Sequence, residues 1–378
     1  PPLQTTINDL QDVDAIYVSH IHPDHYDQRY FDFDKNIPII ALDHGLNFLI
    51  QNLEAKGFTN LIKIKSGETA QFEEFQITLY APFVKNAFYE AEIGNVIDSA
   101  MVIQCDNQVA LNTNDNRLDI SACSALVRKF GQIDLAMLNY NAAGPYPSCF
   151  SNLTENEKLQ EHRRILDRNF QYMKELVEAL DPKYVLPFAG SYVIGGRLYK
   201  KNRYLGTSTW DECADYLRGH LQNKTKVITL REKDVFDMSL GTSNREYDPI
   251  DKNDMQKYIL EVISKVVYEY EKDPPPNIDQ LKLDLNEAKQ KMMDRAKKIQ
   301  LTPDMNVNIF VKDQAIPVIS VTDSKGTLDC RLDTRMLRRI LDRNAYWNNA
   351  EIGCHIEIER KPNHYSPDMH LMLQFLHL

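Results

Sequence analysis

The stretch YVSHIHPDHYD, residues 17–27, decides the fold assignment of this chain. The residues DAIYVS that lead into it are apolar and β-branched enough for a buried strand, and Pro23 then ends that strand and presents the imidazoles from a loop. Three of the ten histidines fall in this run with an aspartate between them, namely His20, His22, Asp24 and His25. Imidazole and carboxylate suit zinc, iron or manganese, so the run predicts a metal site that can serve two cations.

The spacing H-x-H-x-D-H resembles the signature of the metallo-β-lactamase superfamily. The resemblance implies an α/β fold, specifically an αββα sandwich with metals at the strand ends, and here a smaller C-terminal α+β domain would follow it. The motif is typical of the fold and does not specify a reaction. Because the superfamily places several strands before the motif, and the chain begins with Pro1 and Pro2, we expect that upstream residues are missing.

Length and composition limit the class of protein. The 378 residues exceed what one core usually holds, so about two domains are expected. The net charge of -10 and the lack of a Lys/Arg-rich run argue against nucleic-acid binding. Six scattered cysteines without a C-x-x-C pair fit a reducing cytosol and encode no iron–sulfur centre. With neither a signal peptide nor a membrane-length apolar run, we expect a cytoplasmic protein with no membrane partner.

An α/β alternation follows the motif. Residues 37–43 (IPIIALD) and 61–66 (LIKIKS) are predicted as parallel strands on either side of a helix at residues 45–56. FQITLYAPF, SAMVIQCD and QVALNTND predict three more strands. The last of them ends in an Asn/Asp cluster that contains Asp115. The superfamily resemblance implies that Asp115 bridges both metals, and a turn-forming aspartate is the alternative.

Two ligands of the superfamily's hydrolases are missing. No histidine occurs between His44 and His162, where those hydrolases place a ligand histidine. The later ligand histidine is replaced by Phe-Ala-Gly-Ser at residues 188–191. A conventional dizinc site is therefore incomplete.

The remaining residues favour one strong metal position. That position has His20, His22 and Asp115, which is the ligand set of the non-haem Fe(II) oxygenases. The second position has Asp24, His25 and the shared Asp115, and we expect it to be weaker. Open coordination positions serve an oxygenase or a hydrolase equally, so the ligand count alone does not choose between them.

Several segments look like the metallo-β-lactamase-like part of the CMP-N-acetylneuraminate hydroxylase family. These are DAIYVSHIHPDHYD, QVALNTND, LNYNAAGPYPSCF, YVLPFAGSYV and WNNAEIGCHIEIERKPNHY, which span most of the chain with gaps. That family is a monooxygenase family that converts an N-acetyl to an N-glycolyl group on a nucleotide-activated sialic acid, with O₂, a Rieske [2Fe–2S] domain and an electron-donor chain. The resemblance implies iron, an external [2Fe–2S] electron donor, an electron-transfer partner protein and a nucleotide-sugar substrate. This sequence has no Cys/His Rieske pattern.

The loop in LNYNAAGPYPSCF has the composition of a ligand-facing loop, with a plain structural turn as the alternative. We predict that Tyr140 and Asn141 are catalytic residues that hydrogen-bond the substrate, and that Tyr146 also contacts it. Gly190 is predicted to let the backbone approach the metal pocket. In RLYKKNRYLG, Lys200 and Arg203 are predicted to meet a phosphate, with a solvated loop as the alternative.

The predicted domains are residues 1–240, the metallo-β-lactamase-like domain, and residues 241–378. The second begins with a long helix, MQKYILEVISKVVYEYEKD, that runs to a stiff linker of three prolines at residues 274–276. A helix at residues 278–299 and a small α+β domain follow, and we expect this domain to cap the active site or form a homo-oligomer contact.

Three functions stay open on the sequence. The first is an iron-dependent oxygenase that acts on an N-acylated, nucleotide-linked sugar. The second is a metal-dependent hydrolase of a phosphorylated sugar, lactone or ester, in which Asp24 acts as the catalytic base. The third is a non-catalytic binding protein whose metal site has decayed.

Overall fold

The chain divides into two compact units in this computed structural model, which describes residues 5–6, 12–29, 31–44, 47–84, 98–188 and 190–378. The first unit comprises the described residues of Pro1–Asn141, Asp167–Ser191 and Ser208–Ile250, and the second comprises Ala142–Leu166, Tyr192–Thr207 and Asp251–Leu378. The second unit therefore includes Ala142–Leu166 and Tyr192–Thr207, which the sequence assigned to the first domain. The boundary at residues 240 and 241 stays a prediction. Pro1, Pro2, Gly45 and Ala189, which the sequence analysis used, lie outside the described residues.

The strands of the first unit are β1 Ile16–Tyr17, β2 Ile39–Asp43, β3 Leu61–Lys65, β4 Thr69–Phe72, β5 Phe75–Tyr80, β6 Ala100–Cys105, β7 Gln108–Asn112, β8 Leu135–Asn139, β9 Tyr184–Phe188, β10 Lys226–Val227, β11 Phe236–Asp237 and β12 Thr242–Ser243. Its helices are α1 Phe48–Ala55, α2 Ile120–Phe130 and α4 Trp210–His220, and α3 Glu155–Leu180 is shared by both units.

Two sheets carry these strands. A parallel sheet has the order β1-β2-β3, which confirms the parallel strands expected at residues 37–43 and 61–66. A mixed sheet has the order β10-β9-β8-β7-β6-β5-β4, parallel from β10 to β7 and antiparallel from β7 to β4. β6 and β7 are joined through Asp106 and Asn107, both with positive φ, as a tight hairpin requires.

The two sheets pack face to face between helices. Alternate residues of β2 point to opposite faces of the sheet, so Ile39 packs with Leu49 of α1 whereas Leu42 packs with Leu79 of β5. The other face of the mixed sheet is covered by α2, α3 and α4. The core on this face includes Leu111, Leu138, Val185, Leu126, Met173, Val177 and Leu217. The layer order is therefore αββα, and the predicted α/β fold class is confirmed.

The second unit is built on a four-stranded sheet in the order β14-β13-β15-β16. Its strands are β13 Asn306–Val311, β14 Gln314–Ile319, β15 Thr327–Leu332 and β16 Ile356–Lys361, and its helices are α5 Lys252–Glu261, α6 Ile278–Lys298, α7 Thr334–Leu341, α8 Trp347–Ile352 and α9 Pro367–Leu373. α6 confirms the helix predicted at residues 278–299, and its buried residues Leu281, Leu285 and Met292 join the core of this sheet.

The prediction of one long helix at residues 255–273 is wrong. α5 ends at Glu261, and only short 3₁₀ turns follow at Ile263–Lys265 and Glu269–Lys272. The β-branched residues Val262, Val266 and Val267 are exposed here. Such side chains lose rotamer freedom in a helix, and exposure gives them no packing energy in return. Among the helices of the described part of the chain, none is both long and apolar enough to cross a bilayer.

Candidate metal centre

A tight loop after β1 gathers the histidines of the motif. Val18 still pairs with β2, since its N–H donates to the Ile40 carbonyl at 3.1 Å. The His22 carbonyl then accepts the N–H groups of both His25 and Tyr26, at 2.9 and 2.7 Å. Tyr26 is buried and packs edge-on against Phe31. These contacts fold the loop back on itself, so that residues separated along the chain face a common point.

The first group consists of His20, His22 and Asp115, whose ligand atoms all lie within 4.8 Å of one another. His20 Nε2 lies 2.9 Å from His22 Nδ1 and 3.8 Å from Asp115 Oδ2. Two nitrogens that each lie about 2.1 Å from one cation, at a right angle, are about 3.0 Å apart. The observed spacing of the two imidazole nitrogens therefore fits a shared metal ion.

The second group consists of Asp24, His25 and the same Asp115. His25 Nε2 lies 3.6 Å from Asp24 Oδ2 and 3.6 Å from Asp115 Oδ2. The Asp24 side chain is 76% exposed, whereas the His20 side chain is fully buried. The two groups thus meet at one carboxylate oxygen but differ strongly in their exposure to solvent.

Asp115 is oriented by a neighbouring strand. Asn139, the last residue of β8, donates from Nδ2 to Asp115 Oδ1 at 2.9 Å. The Asn139 amide oxygen in turn accepts the N–H of Asn141 at 3.1 Å. With Oδ1 engaged by Asn139, Oδ2 is the atom that faces both groups of histidines. The arrangement gives Asp115 the position that a bridging ligand needs.

Asp98 is a residue of this site that sequence reasoning missed. Its Oδ1 lies 3.2 Å from His20 Nδ1, on the side of the ring opposite to the metal-facing nitrogen, and both side chains are fully buried. A carboxylate behind a histidine is the usual device that fixes the ring orientation of a metal ligand. β6 runs antiparallel to β7, so Asp98, just before β6, lies at the sheet edge where β7 ends. A polar Asp98-Ser99 pair directly before an apolar strand was the signal available in the sequence.

A polar network fastens the strand ends around the site. The Tyr17 hydroxyl donates to the Ser99 carbonyl at 2.8 Å, and Asn114 Nδ2 donates to the same carbonyl at 3.0 Å. The Ser99 hydroxyl donates to the Ser19 carbonyl at 3.0 Å. The ends of β1, β6 and β7 are therefore held together by side chains that do not belong to either group of ligands.

The two histidines of the first group are neutral near pH 7. Burial, together with the positive charge that His25 carries when protonated, lowers the pKa of His20 to about 4. Burial and the neighbouring His20 lower the pKa of His22 to about 4 as well. Neutral imidazoles keep a lone pair for a metal ion. The donor set therefore fits a divalent transition metal in charge state as well as in spacing.

His25 behaves differently. Burial opposes its protonation, but the hydrogen bond and charge of Asp115, with the charge of Asp24, outweigh burial and raise the pKa of His25. Burial alone would raise the pKa of Asp115, but its hydrogen bond to His25 and the charge of that ring lower it. Asp115 thus favours a proton on His25, and a metal ion in this group competes with that proton.

The predicted substrate residues Tyr140 and Asn141 are buried and bonded within the first unit. The Tyr140 hydroxyl lies 2.8 Å from Ser191 Oγ. Asn141 Nδ2 donates to the Ser208 carbonyl at 2.9 Å, and Asn141 Oδ1 accepts the Ser208 N–H at 3.1 Å. These contacts give both side chains a structural role. Their catalytic and substrate-binding roles stay predictions.

Gly190 has a packing reason of its own. Its φ is +99°, and a Cβ there would lie 2.8 Å from the Asn141 Cβ. Glycine is thus required by the backbone conformation and by the close approach of Asn141. The predicted approach of this backbone to the metal pocket stays a prediction.

The other predicted substrate residues belong to the second unit. The Tyr146 hydroxyl accepts from Asn363 at 3.2 Å, and Arg203 forms an exposed ion pair with Glu155 at 3.9 Å. Lys200 is exposed on a 3₁₀ helix at Gly196–Tyr204. Substrate binding by these three residues stays a prediction.

Comparison with curated proteins finds sequence relatives for about half of this chain. No family model matches the chain. A curated protein of Mycolicibacterium smegmatis, named "Putative Rieske 2Fe-2S iron-sulfur protein", is 31% identical over 196 residues, which cover 48% of this chain and 34% of the relative. The chain thus spans about a third of the length of that relative.

Solved structures give weaker similarities. CmlA, a diiron beta-hydroxylase from Streptomyces venezuelae, has a TM-score of 0.38 and 16% identity, covering 60% of this chain and 45% of that one. A metallo-beta-lactamase fold protein from Bacillus subtilis has a TM-score of 0.35 and 12% identity, covering 58% of this chain and 77% of that one. Because both TM-scores are below 0.5, the fold assignment rests on the αββα layers of the chain itself.

Proposed function

We propose that this protein is an iron-dependent oxygenase that receives electrons from an external [2Fe–2S] donor and hydroxylates the N-acyl group of a nucleotide-linked sugar. The observation that carries the proposal is the first group of ligands. It supplies two neutral imidazoles and one carboxylate from one side, which is the ligand set of non-haem iron oxygenases. The likeness to a relative named for a Rieske 2Fe-2S centre supports the electron donor.

The substrate class rests on the resemblance of the motif-bearing segments to the CMP-N-acetylneuraminate hydroxylase family. In such a reaction one oxygen atom of O₂ enters the methyl C–H bond of the N-acetyl group. The other leaves as water with two protons and two electrons from the donor. His20, His22 and Asp115 would hold the iron, and the iron would make O₂ reactive toward the substrate.

The residues around the ligands have defined tasks in this proposal. Asp98 holds the His20 ring so that Nε2 faces the ion, and Asn139 holds Asp115 so that Oδ2 faces it. Asp24, on the exposed side of the site, is the group placed to exchange a proton with solvent. The buried polar network behind the ligands keeps their positions fixed while the open side receives the substrate.

The experiment is oxygen consumption under defined electron supply. The protein is loaded anaerobically with Fe(II), then given a reductase system, O₂ and CMP-linked or UDP-linked N-acetyl sugars. We expect sugar-dependent O₂ consumption that is lost in His20→Ala and kept in His220→Ala, which removes a histidine at the end of α4. Oxygen consumption no greater than that of His20→Ala, with all sugars, would refute the proposal.

A metal-dependent hydrolase is the second candidate, and the second group of ligands favours it. The shared Asp115 can hold two cations side by side, and the exposed Asp24 can accept a proton from water there. We would measure turnover of phosphodiesters, lactones and esters with Zn(II) or Mn(II). A hydrolase should lose turnover in Asp24→Ala, and inactivity across the panel would exclude these substrates.

A further inference from the structure

Two buried cysteines that are far apart in sequence meet inside the second unit. Cys149 and Cys354 are each 1% exposed, and each thiol influences the pKa of the other. Cys149 Sγ also lies 3.7 Å from the Glu351 carbonyl oxygen, which accepts the N–H of Cys354 at 3.0 Å. The Cys149 sulfur and the Cys354 backbone thus meet at the same carbonyl oxygen.

The backbone fixes this meeting of the two residues. The Cys149 carbonyl accepts the N–H of Ile358 at 2.8 Å, and the Ser151 N–H donates to the Ile358 carbonyl at 2.8 Å. Phe150 therefore pairs as a parallel bridge with Ile358, in β16. Because β16 begins two residues after Cys354, the main chain holds both cysteines beside each other.

The surroundings of the pair are basic. Lys201 Nζ donates to the Cys354 carbonyl at 3.0 Å, and Lys158 of α3 also acts on Cys354 by its charge. The hydrogen bond from Cys149, followed by these two lysines, lowers the pKa of Cys354, although burial opposes the change. That hydrogen bond and burial raise the pKa of Cys149. The surroundings therefore favour the thiolate on Cys354 over the thiolate on Cys149.

The other cysteines do not share this chemistry. Burial raises the pKa of Cys123 to about 12 and also raises that of Cys213 and Cys330. Desolvation and the nearby charges of Asp106 and Glu74 raise the pKa of the half-buried Cys105, at the end of β6. All six cysteines are reduced in the structure.

We propose that Cys149 and Cys354 form a reversible, peroxide-reactive dithiol–disulfide pair. The Cys354 thiolate attacks one oxygen of hydrogen peroxide, the O–O bond breaks, and Cys354 sulfenic acid forms while the other oxygen leaves as water after protonation. Cys149 then attacks the sulfenic sulfur, the S–O bond breaks, and a second water leaves. In sum, two thiols and one hydrogen peroxide give one disulfide and two waters, with two electrons passed from sulfur to peroxide. A dithiol reductant reverses the reaction and is itself oxidised.

The first test uses the unaltered chain. The folded protein is treated with hydrogen peroxide, quenched, unfolded, and its free thiols are counted. We expect the loss of two of the six thiols, their recovery with dithiothreitol, and a linked pair of peptides that contain Cys149 and Cys354. Retention of all six thiols, or a disulfide between other cysteines, would overturn the proposal. This measurement needs no variant, so it stays decisive even where a substitution impairs folding.

Variants then separate the roles of the two sulfurs. Cys149→Ser should leave Cys354 as a sulfenic acid that a dimedone probe traps, whereas Cys354→Ser should leave Cys149 reduced. Cys213→Ser, which removes a buried cysteine of the first unit, should still lose two thiols. Equal labelling of Cys149 in Cys354→Ser and of Cys354 in Cys149→Ser would contradict the assignment of Cys354 as the attacking group.

Discussion

Replacing Asp98 with asparagine should weaken metal binding and stabilise the metal-free protein at the same time. Asparagine has nearly the shape of aspartate and can still accept the Ser99 N–H, which Asp98 Oδ1 accepts at 2.7 Å. It cannot supply a negative charge behind His20. Loss of such an outer partner typically costs about 10–100-fold in metal affinity. That range corresponds to about 1.4–2.7 kcal/mol.

The stabilising part follows from the burial of Asp98. Its side chain is fully buried, and Oδ2 has no hydrogen-bond partner among the residues that the structure describes. Burial, followed by the charge of Asp115, raises the pKa of Asp98 well above its ordinary value. A buried unsatisfied group costs about 1–3 kcal/mol. Asparagine also leaves an unpaired atom there but cannot ionise, so above the ordinary carboxyl pKa the metal-free variant should gain about 1 kcal/mol, or about 2–4 °C in the Tm of a domain this size.

The same substitution should change the dependence of stability on pH. Because the pKa of Asp98 is higher in the folded than in the unfolded chain, the folded state binds more protons. The free energy of unfolding of the metal-free protein therefore falls as the pH rises from the ordinary carboxyl pKa through the raised one. Asp98→Asn should flatten this part of the curve.

The assay has two arms. Competitive titration with a chromophoric chelator gives the affinity for Fe(II) or Co(II), and thermal unfolding in the presence of EDTA gives the metal-free stability. Asp106→Asn, in the exposed β6–β7 turn, is the matched control and should change neither quantity. Parent-like affinity in Asp98→Asn would refute the orienting role of the carboxylate. A fall in metal-free stability would refute the account of its burial.

Three further predictions concern the ligands and the loop behind them. Asp115→Asn should abolish metal binding by both groups, whereas His22→Ala should leave binding by the second group intact. The metal content after dialysis, measured by mass spectrometry, tests this, and equal metal loss in both variants would contradict it. On acidification, metal should leave the His25 group first, because the pKa of His25 is raised while that of His20 is about 4; simultaneous release during stepwise dialysis would contradict this order. Asn141→Ala should lower the free energy of unfolding by about 1–3 kcal/mol, since it leaves buried Ser208 groups unpaired, and an unchanged denaturant midpoint would show that the contact is unimportant.

The local parts of this structure could be predicted from the sequence. The strands around β2, β3 and β5 to β7 follow apolar runs bounded by polar residues, and the H-x-H-x-D-H spacing alone brings His20 and His22 to one point. The ligand role of Asp115, just after β7, was implied by the superfamily resemblance and did not follow from the local sequence alone. Local sequence patterns were enough to predict those features that depend on contacts between residues close together in the sequence.

The parts that failed depend on contacts that no local pattern records. Asp98 acts on His20 only because β6 runs antiparallel to β7, and the sequence predicted both strands without their pairing. The helix predicted at residues 255–273 followed its apolar spacing, but Val266 and Val267 remain exposed and supply no buried face. The contacts of Tyr140 and Asn141 with Ser191 and Ser208 were likewise invisible in the loop composition, and the substrate roles of these two residues stay predictions.

The contrast between the two ligand groups determines how the competing functions can be separated. The first group has a fully buried His20, two imidazoles whose pKa is lowered to about 4, and ligands held from behind by Asp98 and Asn139, so a cation there meets no competing proton on either ring near pH 7. A cation in the second group competes with a proton on His25 that Asp115 favours, and it would lie next to the exposed Asp24. The first position should therefore fill at lower metal concentration than the second. One tightly held iron per chain supports the oxygenase, whereas turnover that appears only as a second ion binds supports the hydrolase.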